Sequence, residues 1–167
     1  MKRPIHINIV GQKKSGKTTL IQSLISEMVS LGISIGTVKH TSHDHEFDIT
    51  GTDSWKHQRA GSSATVIMSP SKLVCHINEP SSEEIHKLTD FVFQKYDVVL
   101  WEGDRDTNND KIECIGEGME SLFIDDTRLI AVVSDNSNIN DSYLFRFQDV
   151  QSLAGLILEK YGIIPPG

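Results

Sequence analysis

The chain has only two cysteines, Cys75 and Cys114, standing far apart in no Cys-x-x-Cys pair. That excludes a disulfide framework and the common thiolate metal motifs, and both thiols are expected to be reduced and buried. Nor is there an apolar run near the roughly 18–20 residues that a membrane helix needs. The opening MKRPIHINIV starts basic, but its apolar stretch is short and has no small-residue cleavage site, so the reading is cytoplasmic. Basic charge is scarce: 16 Lys and Arg oppose 23 Asp and Glu, a formal charge of −7. Nucleic-acid binding needs a basic face, so that role is not expected. Repeats, low-complexity tracts and Pro/Gly/Ser-rich linkers are also missing, which predicts one domain over residues 1–167.

What is present reads as a globular chain able to build its own core, with 38% hydrophobic and 23% charged residues. Its charge is uneven. Residues 1–60 balance to +3 and residues 96–167 to −9. A positive excess confined to the first third suits a local anion site.

Hydrophobic periodicity gives an alternation of strands and helices. Ile5–Val10 reads as a buried strand ending at Gly11. From Lys17 a helical stripe follows (Leu20, Ile21, Leu24, Ile25, Met28, Val29), with Gly32 as a left-handed stop. Ile33–Lys39 reads as a strand, and Asp53 as the cap of a short helix ending before Gly61. Ala64–Met68 and Leu73–Ile77 form a hairpin across Ser69-Pro70-Ser71-Lys72. Ser81 and Glu84 make a capping box for a helix through Gln94, with Ile85, Leu88, Phe91 and Val92 inward. Strands at Val98–Trp101, Ile112–Ile115 and Leu129–Val133 precede a last helix, capped by Asp149 and stopped by Gly162. The order predicts an α/β fold of three layers with a mostly parallel sheet and a β-hairpin extension.

Gly11-Gln12-Lys13-Lys14-Ser15-Gly16-Lys17-Thr18 matches GxxxxGK[ST] in full and sits between a strand and a helix, where a phosphate-binding loop must sit. Glycines allow the tight turn, and loop N–H groups and the helix N-terminus face phosphate oxygens. Lys17 can reach the β- and γ-phosphates, and the Thr18 hydroxyl, followed by Thr19, can hold Mg²⁺. Lys13 and Lys14 add charge; at least one of them is expected in solvent.

Carboxylates close two apolar strands. Glu102, after Val98–Trp101, is placed to hold Mg²⁺ through water or to orient an attacking water. Asp135, after Ala131-Val132-Val133-Ser134, can accept the N–H groups of guanine, although no Asn-Lys pair occurs in the chain. His40–Asp48 holds three histidines and three acids in nine residues. It can be a loop that senses the γ-phosphate and contributes a Mg²⁺ ligand, Asp44 or Asp48, or a transition-metal site, or a polar surface loop.

Together the segments GQKKSGKTTL, GTVKHTSHDHEFD, GTDSWKHQRAGSSAT, DVVLWEG and KIE resemble the MobB family, molybdopterin-guanine dinucleotide biosynthesis adapter proteins. The resemblance spans nearly the whole chain. It implies a small P-loop protein that binds GTP with Mg²⁺, hydrolyses it weakly at most, and forms a homodimer. It further implies partnership with MobA, the guanylyltransferase that joins GMP to molybdopterin. Gly11, Ser15, Gly16, Lys17, Thr18 and Thr19 match the loop positions and Glu102 the acid of the family's VEG segment. Asp104-Arg105 stands where the family has an aromatic residue and Lys, and Thr52 where it often has Lys.

Two other activities fit the phosphate loop. A small-molecule kinase needs arginines around the transferring phosphoryl group. The five here are scattered, and only Arg59 and Arg105 are candidates for the crevice. A GTP-driven metallochaperone would use the His40–Asp48 cluster.

Overall fold

Parallel pairing of short apolar strands organises most of the chain. The computed structural model describes residues 3–43, 46–104, 107–136 and 143–166. They fall into two compact units, Met1–Thr41 with Phe93–Gly167, and Ser42–Val92.

The first unit is built on six parallel strands: β1 (Ile5–Val10), β2 (Ile35–Lys39), β5 (Val98–Glu102), β6 (Asp110–Cys114), β7 (Leu129–Val133) and β8 (Leu144–Phe145), in the order β2-β5-β1-β6-β7-β8. β1 is central because Ile7, Ile9 and Val10 are fully buried, as an inner parallel strand requires. Helices α1 (Lys17–Ser30) and α4 (Val150–Tyr161) pack together on one sheet face. Leu20, Leu24 and Met28 of α1 and Leu153 and Ile157 of α4 close the core over Ile7, Ile9, Leu100 and Ile112. Each such side chain removed from water stabilises the fold by about 1.5–3 kcal/mol.

The opposite face of the sheet mixes Val10, Val99 and Val132 with buried polar side chains. Asn8, Lys111 and Glu113 are each at most 1% exposed. Every one has partners in the covering loops, as burial demands. Lys111 donates to Asp126 at 2.9 Å, which also binds Arg128 at 3.0 Å. Glu113 accepts from the Ser121 hydroxyl at 2.5 Å and the Leu122 N–H at 2.7 Å. The guanidinium and ammonium hold Asp126 well below the usual carboxylate range. At the sheet's edge the Phe93 ring fills the space beside Gly36 on this same face. Tyr161 at the end of α4 donates to Asp110 at the start of β6, at 2.5 Å.

The second unit holds α2 (Asp53–Arg59), the antiparallel hairpin β3 (Ala64–Met68) and β4 (Leu73–Ile77), and most of α3 (Ser82–Phe93). The Ser69 N–H to Lys72 carbonyl bond of 2.9 Å closes the hairpin where the sequence places it. Its apolar side chains are largely uncovered: Met68 is 79% and Leu73 68% exposed.

Several details differ from expectation. Ile85, Leu88, Phe91 and Val92 make a true amphipathic stripe on α3, but it faces solvent, with Phe91 70% exposed. Periodicity reports an apolar face and not what covers it. Val29 is likewise exposed, at the end of α1. Cys75 lies exposed on the hairpin, while Cys114 is buried. Thr52, rather than Asp53, caps α2 by accepting the Trp55 N–H. Asp149 precedes α4 without capping it and accepts the Arg146 N–H instead. β2 begins at Ile35 because Ser34 turns to bind Asp97 through its N–H and hydroxyl. β6 runs from Asp110 to Cys114, two residues earlier at its start than apolar content predicts, because Lys111 can be buried against its acid.

Candidate functional site

Between β1 and α1 the chain turns through the loop that starts at Gly11. A Cβ there would lie 2.2 Å from the Cys114 carbonyl oxygen, and φ is +135°, so only glycine lets the loop pass this close to β6. Gln12 ties the loop outward by donating to the Glu120 carbonyl at 3.2 Å. Helix α1 then begins at Gly16 with no side-chain cap and no acid in its first turn. Its N–H groups and the positive end of its dipole are thus left for an anion. The Ser15 hydroxyl is buried within the loop with no protein partner, a polar group that a bound oxygen would satisfy.

Strand register brings the remaining groups in. Lys39 and Glu102 end β2 and β5 as register partners. Both side chains project on the α1 side, because they continue the alternation of Ile35 and of Val98 and Leu100. The His40 N–H donates to the Glu102 carbonyl at 2.8 Å, and Gly103 turns the chain away at φ +97°. The Thr18 hydroxyl then donates to Glu102 Oε1 at 3.0 Å, and the Lys39 ammonium pairs with the same oxygen. Lys17 Nζ donates to the carbonyls of Gly11 at 3.1 Å and Gln12 at 2.6 Å.

These residues line one crevice of about 450 Å³, walled by Lys13, Lys14, Ser15, Gly16, Lys17, Thr18, Thr19, Lys39 and Glu102. Four lysines face one carboxylate, in a chain whose overall charge is −7. The arrangement can hold a polyanion, and its hard oxygen donors suit Mg²⁺ rather than a soft metal. Lys13 and Lys14 are both exposed at the crevice mouth. Behind the loop, burial pushes the Cys114 thiol up to about 12, so it stays protonated beside Lys17.

Asp135 is exposed after β7, and its carboxylate accepts the Phe147 N–H at 3.2 Å. The Phe147 ring in turn fills the space over Gly16 at the start of α1. Asp48 belongs to the second unit. There it accepts from the Ile49 N–H at 2.8 Å and from Gln58 at 3.0 Å, and the Ser54 hydroxyl leads the hydrogen bonds that hold its carboxyl below the usual range. Asp44 and Arg105 lie outside the described residues. Among the described residues no group of three or more His, Cys, Asp or Glu gathers around a common point; Asp44 and His45 of the His40–Asp48 segment lie outside those residues. Sequence reasoning missed Lys39 and Phe147. The signal for Lys39 was its place at the carboxyl end of a strand beside the phosphate loop; Phe147 offered none.

A parallel sheet with a phosphate-binding loop after its central strand, and a lone carboxylate at the end of its neighbour, defines a nucleotide-binding P-loop α/β protein. Residues 6–135 match the family model of MobB, molybdopterin guanine dinucleotide synthesis protein B, and the chain belongs to that family. It is 33% identical over 156 residues to the molybdopterin-guanine dinucleotide biosynthesis adapter protein of Escherichia coli (strain K12), covering 87% of this chain and 86% of that one. A crystal structure of molybdopterin-guanine biosynthesis protein B superposes with a TM-score of 0.74 at 30% identity, covering 93% of this chain and 99% of that one. Bacillus subtilis MobB shares the fold, with a TM-score of 0.72 at 21% identity over 93% of this chain and 97% of that one.

Proposed function

We propose that the chain is a cytoplasmic GTP-binding adapter in molybdenum cofactor maturation, assisting the attachment of GMP to molybdopterin by a MobA-like guanylyltransferase. The observation that carries this reading is the lysine-rich crevice around Glu102, in a chain belonging to the MobB family. Lys17 leaves the carbonyls of Gly11 and Gln12 for the β- and γ-phosphates, while Ser15 and the first turn of α1 bind their oxygens. Thr18 and Glu102 would hold Mg²⁺, which, when bound, neutralises phosphate charge and fixes the oxygens in place. Asp135, whose carboxylate accepts the Phe147 N–H, is the candidate reader of guanine. Asp44 and Asp48 are the candidates for sensing the γ-phosphate.

Hydrolysis is slow at most on this reading. The crevice lining contains no arginine among the described residues, and an arginine at the transferring phosphoryl group is worth roughly 10³–10⁵ in rate. The output is therefore binding: nucleotide state alters a partner surface. The uncovered apolar faces of the hairpin and α3 support a homodimer, since apolar patches of that kind mark interaction sites.

Calorimetric titration with GTP and with ATP, each with Mg²⁺, tests the proposal. GTP is expected to bind much more tightly than ATP. Lys17→Ala should weaken it by about 10- to 150-fold, the loss of a charge-assisted contact of about 1.5–3 kcal/mol. Equal binding, a preference for ATP, or transfer of the γ-phosphate to a metabolite would favour the kinase reading.

A further inference from the structure

In the crevice, Lys39 does something a phosphate-binding lysine need not do. Its ammonium sits on Glu102 Oε1, the same oxygen that accepts the Thr18 hydroxyl. Those two groups are the oxygen donors to which a Mg²⁺ ion would be assigned, so the ammonium occupies the carboxylate that the metal would use. Three features make the placement a product of the fold. Lys39 and Glu102 are register partners on adjacent strand ends. The His40 N–H clamps the Glu102 backbone at 2.8 Å. Gly103 admits the His40 carbonyl to within 2.5 Å of where a Cβ would stand. Yet the Lys39 side chain is 62% exposed while that of Glu102 is 12% exposed, so the cation can swing out while the acid stays.

We infer that Lys39 is a positioning residue that stands in for the divalent cation: it holds Glu102 on Thr18 in the metal-free crevice and is displaced when metal and nucleotide arrive. This rests on the reading of the crevice as a nucleotide site. A lone carboxylate among four lysines would otherwise be free to bind any of them, and its approach to Thr18 would be lost. The stand-in also has a cost, because the ammonium competes with the metal. The metal is therefore held more weakly than Thr18 and Glu102 alone would hold it, and retention of nucleotide becomes sensitive to divalent-ion concentration.

The test is Mn²⁺ binding, read by the electron paramagnetic resonance signal of the free ion, with GDP present at saturation. Wild type, Lys39→Met, Lys39→Arg and Glu102→Gln are compared, together with Lys39→Met in the Glu102→Gln background. Freeing Glu102 from this largely exposed ammonium predicts Mn²⁺ binding up to about fivefold tighter in Lys39→Met. The gain should shrink as salt is raised. Lys39→Arg keeps the cation and should bind Mn²⁺ like wild type. Lys39→Met should add nothing once Glu102 is Gln, because the competition runs through that carboxylate. GDP affinity in excess EDTA should change less than threefold in Lys39→Met. Mn²⁺ affinity that is unchanged or lower in Lys39→Met, or a loss of GDP affinity in EDTA matching that of Lys17→Ala, would overturn the inference and make Lys39 a surface ion pair or a phosphate ligand. A wild-type protein with no nucleotide-dependent Mn²⁺ site would instead remove the reading of the crevice itself, and the inference with it.

Discussion

Replacing Gly103 with alanine probes the join between β2 and β5 on which the whole crevice depends. Two costs add. The backbone at φ +97° is a conformation that side-chain-bearing residues rarely adopt, a strain of about 1–2 kcal/mol. The new Cβ would also stand 2.5 Å from the His40 carbonyl oxygen, against ordinary contact beyond 3.4 Å. That oxygen has little room to retreat, because the His40 N–H is bonded to the Glu102 carbonyl at 2.8 Å. A forced shift of this size adds roughly 1–3 kcal/mol, so Gly103→Ala should cost about 2–5 kcal/mol in all. Gly118 provides the control. It has φ +69° but nothing within 4 Å of its Cβ position, so Gly118→Ala should cost only the strain, about 1–2 kcal/mol. The assay is urea unfolding followed by tryptophan fluorescence in a Trp55→Phe background. The remaining tryptophan, Trp101, lies in β5 and donates to His6 at 2.8 Å, so the signal reports the first unit. Slopes must agree between variants for the comparison to hold. If Gly103→Ala and Gly118→Ala differ by less than about 0.5 kcal/mol, the close approach is not what glycine secures there.

Two further outcomes follow from the buried groups. Asp126 has its folded pKa depressed by Arg128 and Lys111, so its stabilising effect is fully present above the unfolded value of about 3.9 and is lost as pH falls through the lower folded value. The wild type should lose stability from about pH 5 downward, and Asp126→Asn should be less stable at pH 7 with a flatter acid limb; equally steep limbs would refute the assignment. Titration with a thiol reagent at pH 8 should count one reactive group in the folded protein, exposed Cys75, and two in denaturant, because buried Cys114 is pushed up to about 12; two fast groups in the folded state would contradict that burial.

The parts of this protein legible in its sequence are the local ones. The phosphate loop, the α1 stripe and the hairpin turn are each written within some twenty residues, and each lies where the sequence places it. The site beyond the loop depends on pairing between distant segments. Lys39 and Glu102 meet only because β2 and β5 pair in one register, 63 positions apart in the chain, and hydrophobic pattern carries no such information. β8 is too short, at two residues, to show any period. The α3 stripe was legible as a face but not as an exposed one, because amphipathicity specifies that something apolar should cover it and leaves open what.

The polar side chains buried on the second face of the sheet bear on how a protein of this kind is recognised at all. Lys111 and Glu113 belong to the Lys-Ile-Glu triplet that helped reveal kinship, yet they are turned toward the covering loops and bind Asp126, Ser121 and Leu122. Replacing either one alone strands a hydrogen-bonding partner beside a buried strand, a costly change. Their role is one of packing, separate from the phosphate loop. A descendant that had lost Lys17 and all affinity for phosphate could keep the triplet intact. A search pattern weighted toward it would gather shared scaffolds rather than shared phosphate loops.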